Sequence, residues 1–147
     1  MAEFIKQSWV FPVIQSIHLI GLTTLVGTIG LVDWRLLGLG LRRYTASDLA
    51  SGLAPWTTRG LLTVLVTGPL MFGSDLPRYL HNPAFILKMG FLFCALVSNF
   101  TLHRVAVREG SKLDSSRQKM AAVLSLILWS SLVLAGRAIA DFDSRAY

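Results

Sequence analysis

Four long apolar runs divide this chain, and each is close to the roughly 20 residues that a helix needs to cross the hydrocarbon core of a bilayer. They extend from about residue 9 to 32, 56 to 74, 84 to 102 and 120 to 140. Only 15% of the residues are charged, whereas a soluble domain has roughly 25%. Inside a bilayer such runs become helices, because every backbone polar group must be bonded internally. The pattern predicts an all-α integral membrane protein and gives no support to a soluble enzyme.

Lysine and arginine are unequally distributed between the connectors, which predicts the orientation of the runs. The nine that follow the first and third runs are Arg35, Arg42, Arg43, Arg59, Arg104, Arg108, Lys112, Arg117 and Lys119. The three elsewhere outside the runs are Lys6, Arg78 and Arg145. Trp9, Trp34 and Trp56 lie at run ends, as interfacial aromatic residues do. The positive-inside rule then predicts an up-down four-helix bundle of one domain, residues 1–147, with both termini outside.

The connector between the first two runs, which includes Asp33, is the longest. We expect a short interfacial helix there from Ala46 to Leu53, with Thr45 or Ser47 as its N-cap.

The second run is the weakest of the four, because Gly68-Pro69 interrupts it. It carries Thr63, Thr67 and Met71 at intervals of four residues, so these side chains share one helix face. Hydroxyl residues commonly join helices in membranes, and we interpret this face as a packing surface.

A lysine inside the third run is the most costly residue of the chain, at about 2.5 to 3.5 kcal/mol near a bilayer centre. Lys88, Leu92, Ala95, Asn99 and His103 are spaced by three or four residues and form one stripe. Lys88 and Asn99 are therefore predicted to face the inside of the bundle. His103 ends the stripe, and its position predicts a solvated or headgroup histidine.

His18 lies about 12 Å below the outer boundary of the first run. Small residues flank it on two helix faces, one with Gly21 and Thr28 and the other with Gly27 and Gly30. Small faces permit close helix contact, so we expect the first helix to be packed on both sides and His18 to be buried. The alternative interpretation is a structural histidine bonded to a neighbouring serine or threonine.

The depths of the ionisable residues suggest a ligand. Arg137 lies near the outer end of the fourth run and Lys88 at a depth of about 6 Å, so both cations lie above His18. This arrangement suits haem b, with the iron on His18 and the propionates on Lys88 or Arg137, in a site that also includes Asn99. A quinone bonded to His18 is another ligand of the same shape. No second histidine lies at this depth, which leaves one histidine ligand, or Lys88 as a second if the helices are offset.

Two alternatives use the same residues differently. Copper is the first, and its candidate ligands are His18, Met71, Met89 and Cys94. The second is an accessory subunit without a cofactor, in which Lys88 pairs with a lipid, with a partner's carboxylate or with Asp75. As the only cysteine, Cys94 excludes an intrachain disulfide, and its place in mid-run predicts a small apolar packing residue.

Three segments carry a resemblance to known proteins: Ser16–Gly21 followed by Asp33–Gly38, Val66–Phe72, and Asn82–Lys88 with Asn99. They resemble small four-helix bacterial inner-membrane proteins related to the CopD copper-resistance membrane domain and, more distantly, the HemJ type of protoporphyrinogen oxidase. The resemblance implies a haem- or metal-associated redox membrane protein, with His18 and Lys88 at matching positions. Any enzymatic activity would then be that of a haem-dependent oxidoreductase.

The partners that these features imply are a lipid bilayer and either a second copy of the chain or a larger membrane oxidoreductase. The net charge of +6 is accounted for by the topology signals and by contacts with lipid headgroups. Nucleic acid is not among the expected partners, because the sequence has no motif for it.

Overall fold

The computed structural model describes residues 9–41, 43–74, 80–81, 83–108 and 115–144, and the side chains of all of these except 84, 102, 106 and 137–144. Its elements are α1 (Val10–Leu36), α2 (Ala46–Ser74), α3 (Pro83–Ser98), a π-helical segment (Asn99–His103), α4 (Arg104–Arg108) and α5 (Ser115–Ser144). Since α3, the π segment and α4 follow one another without a break, the described chain forms four long helical segments and no strand. The all-α class is confirmed.

Helices α1 and α2 are both longer than the apolar runs predicted. Helix α1 continues to Leu36, so Asp33 lies within a helix and not in a connector. Helix α2 begins at Ala46, and the expected short interfacial helix is its first part. Thr45 is the N-cap, as predicted: its hydroxyl accepts the Asp48 backbone N–H at 3.0 Å and donates to the Asp48 carboxylate at 2.7 Å. This cap sets the start of α2 upstream of the apolar run.

The Gly68-Pro69 pair does not interrupt α2, which also contains Pro55. A proline inside a helix removes one backbone hydrogen bond and costs about 3 kcal/mol. Both proline rings lie on exposed faces of the helix, away from its buried residues Gly60, Val64 and Thr67. The prolines therefore leave the packed face of α2 unchanged, and the predicted interruption was wrong.

A Schellman motif ends α1. Gly38 has a φ of +77°, in the left-handed region where glycine carries no steric penalty. Its N–H donates to the Arg35 carbonyl at 3.0 Å, and the Leu39 N–H donates to the Trp34 carbonyl at 3.3 Å. The two bonds use carbonyl groups that would otherwise have no partner at the helix end, and they direct the chain into the connector.

The tertiary contacts group into two compact units, and the first contains residues 1–28 and 53–81. In it α1 and α2 pack antiparallel, with Gly21 against Gly60 at the point of closest approach. A Cβ atom on Gly60 would lie 2.9 Å from the Gly21 carbonyl oxygen and 2.8 Å from the Leu25 nitrogen. Only glycine permits this approach, because the obstructing atoms are backbone. The expected packing face of α2 is confirmed by Thr63, whose methyl group contacts Gly21.

The second small-residue face of α1 is not packed by the described part of the chain. A Cβ atom at Gly27 or Gly30 would find no described atom within 4 Å. The prediction that α1 is packed on both sides is therefore wrong for the described residues, and its closest helix contact is made through Gly21.

The second unit contains residues 29–52 and 82–147, and α3 with α5 forms its main helix pair. The buried residues of α5 recur every three or four positions, as expected for one packed helix face, and they are Ala122, Ser125, Trp129, Leu132 and Ala135. Ala95 of α3 and Ile29, Val32 and Leu36 of α1 are the other buried apolar residues of this unit. That the whole chain is one domain stays a prediction.

Two of the described helices are long and apolar enough to cross a membrane, Val10–Leu36 and residues Ser115–Gly136 of α5. A shorter apolar stretch, Phe85–Thr101, includes most of α3. These lengths agree with the first, fourth and third runs of the sequence.

Replacing Gly60 with alanine tests the α1–α2 contact. We expect Gly60→Ala to lower the free energy of unfolding by about 1 to 3 kcal/mol. The added methyl group would clash with backbone atoms of α1, which cannot move away as a flexible side chain could. The measurement is unfolding in detergent followed by circular dichroism. Gly27→Ala is the control, and its expected effect is a stabilisation of about 0.4 to 1 kcal/mol. Equal effects at the two positions would contradict the contact.

Candidate functional site

His18 lies in the first unit, where its Nδ1 is 2.7 Å from the Thr67 hydroxyl oxygen. The Thr67 hydroxyl in turn lies 2.6 Å from the Thr63 carbonyl oxygen. Since a carbonyl can only accept, Thr67 donates its one hydroxyl hydrogen to Thr63 and accepts a hydrogen bond from His18. The His18 ring therefore carries its hydrogen on Nδ1.

This tautomer has a chemical consequence. A neutral imidazole with hydrogen on Nδ1 has its lone pair on Nε2, the nitrogen through which histidines commonly bind metals. Metal-binding histidines usually donate their other ring N–H to a polar group that orients the ring, and Thr67 is in that position here. His18 is half-buried rather than fully buried, and its Cε1 would be 3.7 Å from a Cβ atom on Gly68. The bond to a threonine, which the alternative interpretation of a structural histidine predicted, is thus present, and it is also compatible with ligand binding.

Lys88 lies in the second unit, on the packed face of α3 as predicted. Its Cε and Nζ would both be 3.8 Å from a Cβ atom on Gly136, so the absence of a side chain there leaves room for the ammonium group along α5. Gly136 directly precedes Arg137, whose backbone belongs to α5 and whose side chain lies outside the described part. Among the described side chains no carboxylate contacts Lys88, and Asp75 is outside them.

Asn99 is half-buried at the start of the π segment. Together with the half-buried Lys88 and the buried Ala95 and His103, it confirms the predicted stripe as the packed face of this helix. His18 belongs to one unit, and Lys88, Asn99 and Arg137 to the other. A site shared by these four residues stays a prediction.

One buried pair of ionisable residues was not predicted from the sequence. The Nε2 of His103 lies 2.9 Å from Oδ1 of Asp33, and the two residues are 7% and 0% exposed. The prediction of a solvated or headgroup histidine was therefore wrong. Although the atoms are close, their alignment is not that of a regular hydrogen bond, so the contact is mainly electrostatic. Oδ2 of Asp33 has no hydrogen-bond partner in the described chain.

The helical period contained a signal for this pair. Asp33 follows Ile29 by four residues and precedes Leu36 by three, and both are buried. If the predicted first helix is extended past residue 32, its period places Asp33 on the packed face. The π segment accounts for the burial of His103. Ser98 and His103 are five residues apart and both buried, which matches the longer turn of a π-helix.

Further polar atoms are buried in the same unit. The hydroxyl oxygens of Ser98 and Ser125 and the indole nitrogen of Trp129 have no hydrogen-bond partner among the described residues. Ser125 and Trp129 are four residues apart and share the packed face of α5. Buried polar atoms of this kind are commonly bonded to ordered water.

No group of three or more His, Cys, Asp or Glu residues that could hold a metal ion occurs within the described parts of the chain. Of the proposed copper ligands, His18 and Met71 lie in the first unit, and Met89 and Cys94 lie in the second. Cys94 is exposed on α3, so its prediction as an internal packing residue was wrong. The stripe that includes Lys88 accounts for the packed side of the helix, and Cys94 falls on the other side.

Comparison with known proteins places the chain in a family. Residues 8–142 match the model of a family of unknown function, DUF6644. The match extends over all the helical segments described above apart from the last residues of α5. No curated protein and no solved structure matches the chain.

The cost of separating the Asp33–His103 pair can be measured. We expect His103→Leu to lower the free energy of unfolding by about 3 to 5 kcal/mol, because it leaves a fully buried carboxylate without its compensating partner. Adding Asp33→Asn should recover part of that loss. Denaturation in detergent measures both, with the exposed Lys119→Leu as a control expected within about 0.5 kcal/mol of wild type. Additive effects of the Asp33 and His103 changes would contradict the pairing.

Proposed function

The chain belongs to the DUF6644 family, and we propose that it is a multi-pass protein of the bacterial cytoplasmic membrane that binds haem b through His18 for electron transfer or redox chemistry. The observation that carries the proposal is the hydrogen bond from His18 Nδ1–H to Thr67, which makes Nε2 the lone-pair nitrogen.

The surface of the helices supports insertion into a bilayer. Only 11% of the most apolar window of α1 and 28% of that of α5 is buried, so most of their apolar side chains face outward. Ile20 and Leu134 are examples, at 67% and 69% exposed. In water such surfaces would aggregate, whereas in lipid they are solvated. Threonine hydroxyls along α1 and α2 donate to carbonyls of their own helix, which satisfies them without water: Thr23, Thr24, Thr58 and Thr63.

A four-span topology with both termini outside follows from the arginine distribution together with the exposed tryptophans. Trp9 precedes α1 and Trp34 lies in its last turn, and both are more than half exposed. Tryptophans at those positions favour the two bilayer interfaces. Arg59 lies over the Trp56 ring at 5.1 Å, a cation–π contact that suits the headgroup region.

The described residues fit a haem with a single histidine ligand. Thr67 accepts the hydrogen bond from His18 Nδ1, and this bond holds the ring in the tautomer that ligation through Nε2 requires. Of the other two histidines, His103 is engaged by Asp33, and His81 is exposed in the short stretch 80–81. Haem b, when bound, would supply a one-electron redox centre, and the chain's part is to hold and orient it.

Copper handling is the second candidate, and the position of Met71 favours it. Met71 lies four residues after Thr67, on the side of α2 that contacts His18, so a thioether accompanies the imidazole. Imidazole with thioether is a donor set suited to Cu(I). An accessory subunit without a cofactor remains the third alternative, and it assigns Lys88 to a lipid or a partner's carboxylate.

An absorption spectrum of the detergent-purified protein tests haem binding. We expect a Soret band that copurifies with the membrane fraction and is lost in His18→Ala, because the axial nitrogen is removed. His81→Ala, an exposed histidine of the same unit, should keep the band. A colourless wild-type protein from haem-replete cells would overturn the proposal. Elemental analysis of that sample would then assign it to copper, if copper is present and lost in Met71→Leu, or to the accessory role.

Thr67→Val tests the tautomer. Valine has the shape of threonine without the acceptor oxygen, so the His18 ring loses its orienting partner. We expect haem affinity to fall roughly 10- to 100-fold, measured by titrating haem into the apoprotein. Thr58→Val removes a hydroxyl from an exposed face of the same helix and should leave the affinity unchanged. Equal affinities of the Thr67 and Thr58 variants would show that His18 is not held through Thr67.

A further inference from the structure

We propose that the second unit contains a binding site for a phosphate-bearing ligand, formed between the connector, the start of α2 and helix α4. The site is independent of His18 and of haem. The evidence for this site is a pair of cavities with cationic walls. They lie beside the buried Asp33–His103 pair, since His103 lines one of them.

The two cavities adjoin, because Ser47, Val107 and Arg108 line both of them. One has a volume of about 360 Å³ and is also lined by Ser51, His103 and Arg104. The other has a volume of about 350 Å³ and is also lined by Arg35 and Gln118. Either volume accommodates a phosphate group together with part of the molecule that carries it.

The walls offer hydrogen-bond donors and positive charge. Arg35, Arg104 and Arg108 each carry a permanent positive charge and a planar set of N–H donors that matches phosphate oxygens. Ser47 adds a hydroxyl. The described residues that line the cavities include no aspartate or glutamate. The combination selects an oxyanion over a neutral or cationic ligand.

Two of the arginines are held in place by other contacts. The Nε of Arg35 donates to the Tyr44 carbonyl at 2.6 Å, which ties the side chain to the connector. The Arg104 guanidinium lies 5.2 Å from the centre of the Phe100 ring. Arginines already positioned before binding lose less side-chain entropy when the ligand arrives.

Of the carboxylates that the structure describes, Asp33 and Asp48 belong to this unit close to the cavities, and each contacts another side chain. Asp48, the residue after Ser47, accepts a hydrogen bond from the N-cap Thr45 at 2.7 Å. Asp33 is fully buried against His103 and does not line either cavity. Neither acidic side chain lines the cavities beside the arginines. His103 lines one of the cavities and contacts the buried carboxylate of Asp33 behind it.

Two kinds of molecule carry a phosphate group that could bind here, namely phospholipids and soluble phosphate compounds. In the proposed orientation the site lies at the cytoplasmic side, where anionic phospholipid headgroups and soluble phosphate compounds are both present. A lipid headgroup would enter from the bilayer, and a soluble phosphate from water. The test has one arm for each.

The experiment uses the full-length protein with Arg108→Gln and Arg43→Gln as matched variants. Both remove one positive charge, but the exposed Arg43 does not line either cavity. In the first arm inorganic phosphate is titrated into detergent-purified protein by calorimetry. In the second, native mass spectrometry counts lipids retained from nanodiscs of phosphatidylglycerol and phosphatidylcholine. Arg104→Gln repeats both arms in case Arg108→Gln fails to fold.

We expect Arg108→Gln to weaken binding at least 10-fold in one arm, since a charge-assisted hydrogen bond to the ligand is lost, and Arg43→Gln to leave it within 2-fold. Loss confined to the phosphate arm identifies a soluble ligand, and loss confined to the phosphatidylglycerol arm identifies a lipid. The proposal is overturned if wild type binds neither ligand. It is also overturned if the cavity variants and Arg43→Gln weaken binding equally, because general surface charge would then explain it.

Discussion

The close approach of α1 and α2 at Gly21 and Gly60 is the contact on which the first unit depends. Gly60 has backbone atoms of α1 within 3.1 Å of where its Cβ would be, so the two helix axes are nearer than side chains would permit. This spacing lets the short hydroxyl of Thr67 reach His18 and that of Thr57 reach Thr28, at 2.7 and 2.9 Å. With larger residues at the crossing, these bonds would be out of range.

The second unit depends on a different principle, because it buries two ionisable side chains against each other. Asp33 and His103 come from distant parts of the sequence. Burial removes both side chains from water, and their contact with each other compensates for part of that cost. The π segment contributes by adding a residue to the turn, which directs both Ser98 and His103 to the packed side. A buried pair of this kind strongly favours one register of α1 against the third helix, since a shifted register would leave both groups without compensation.

The two ends of the helices differ in their chemistry. Near the start of α1, the notable groups are a single imidazole and a thioether, set among apolar residues. In the second unit are arginines, serine hydroxyls and the buried Asp33–His103 pair. A redox cofactor suits the former because an apolar environment controls its potential, and an anionic ligand suits the latter because arginine supplies charge and direction.

The sequence by itself determined that the chain is helical, because its apolar residues come in runs of bilayer length, and it placed Lys88 and Asn99 on a packed face through their spacing. It also indicated the cap at Thr45. Tertiary structure alone decided which partners those residues meet. The pairing of Asp33 with His103 and of His18 with Thr67 joins positions 70 and 49 residues apart, and no local period encodes such a distance. Helix ends were misjudged for a related reason: a buried partner can hold a polar residue such as Asp33 inside a helix that hydropathy would end before it.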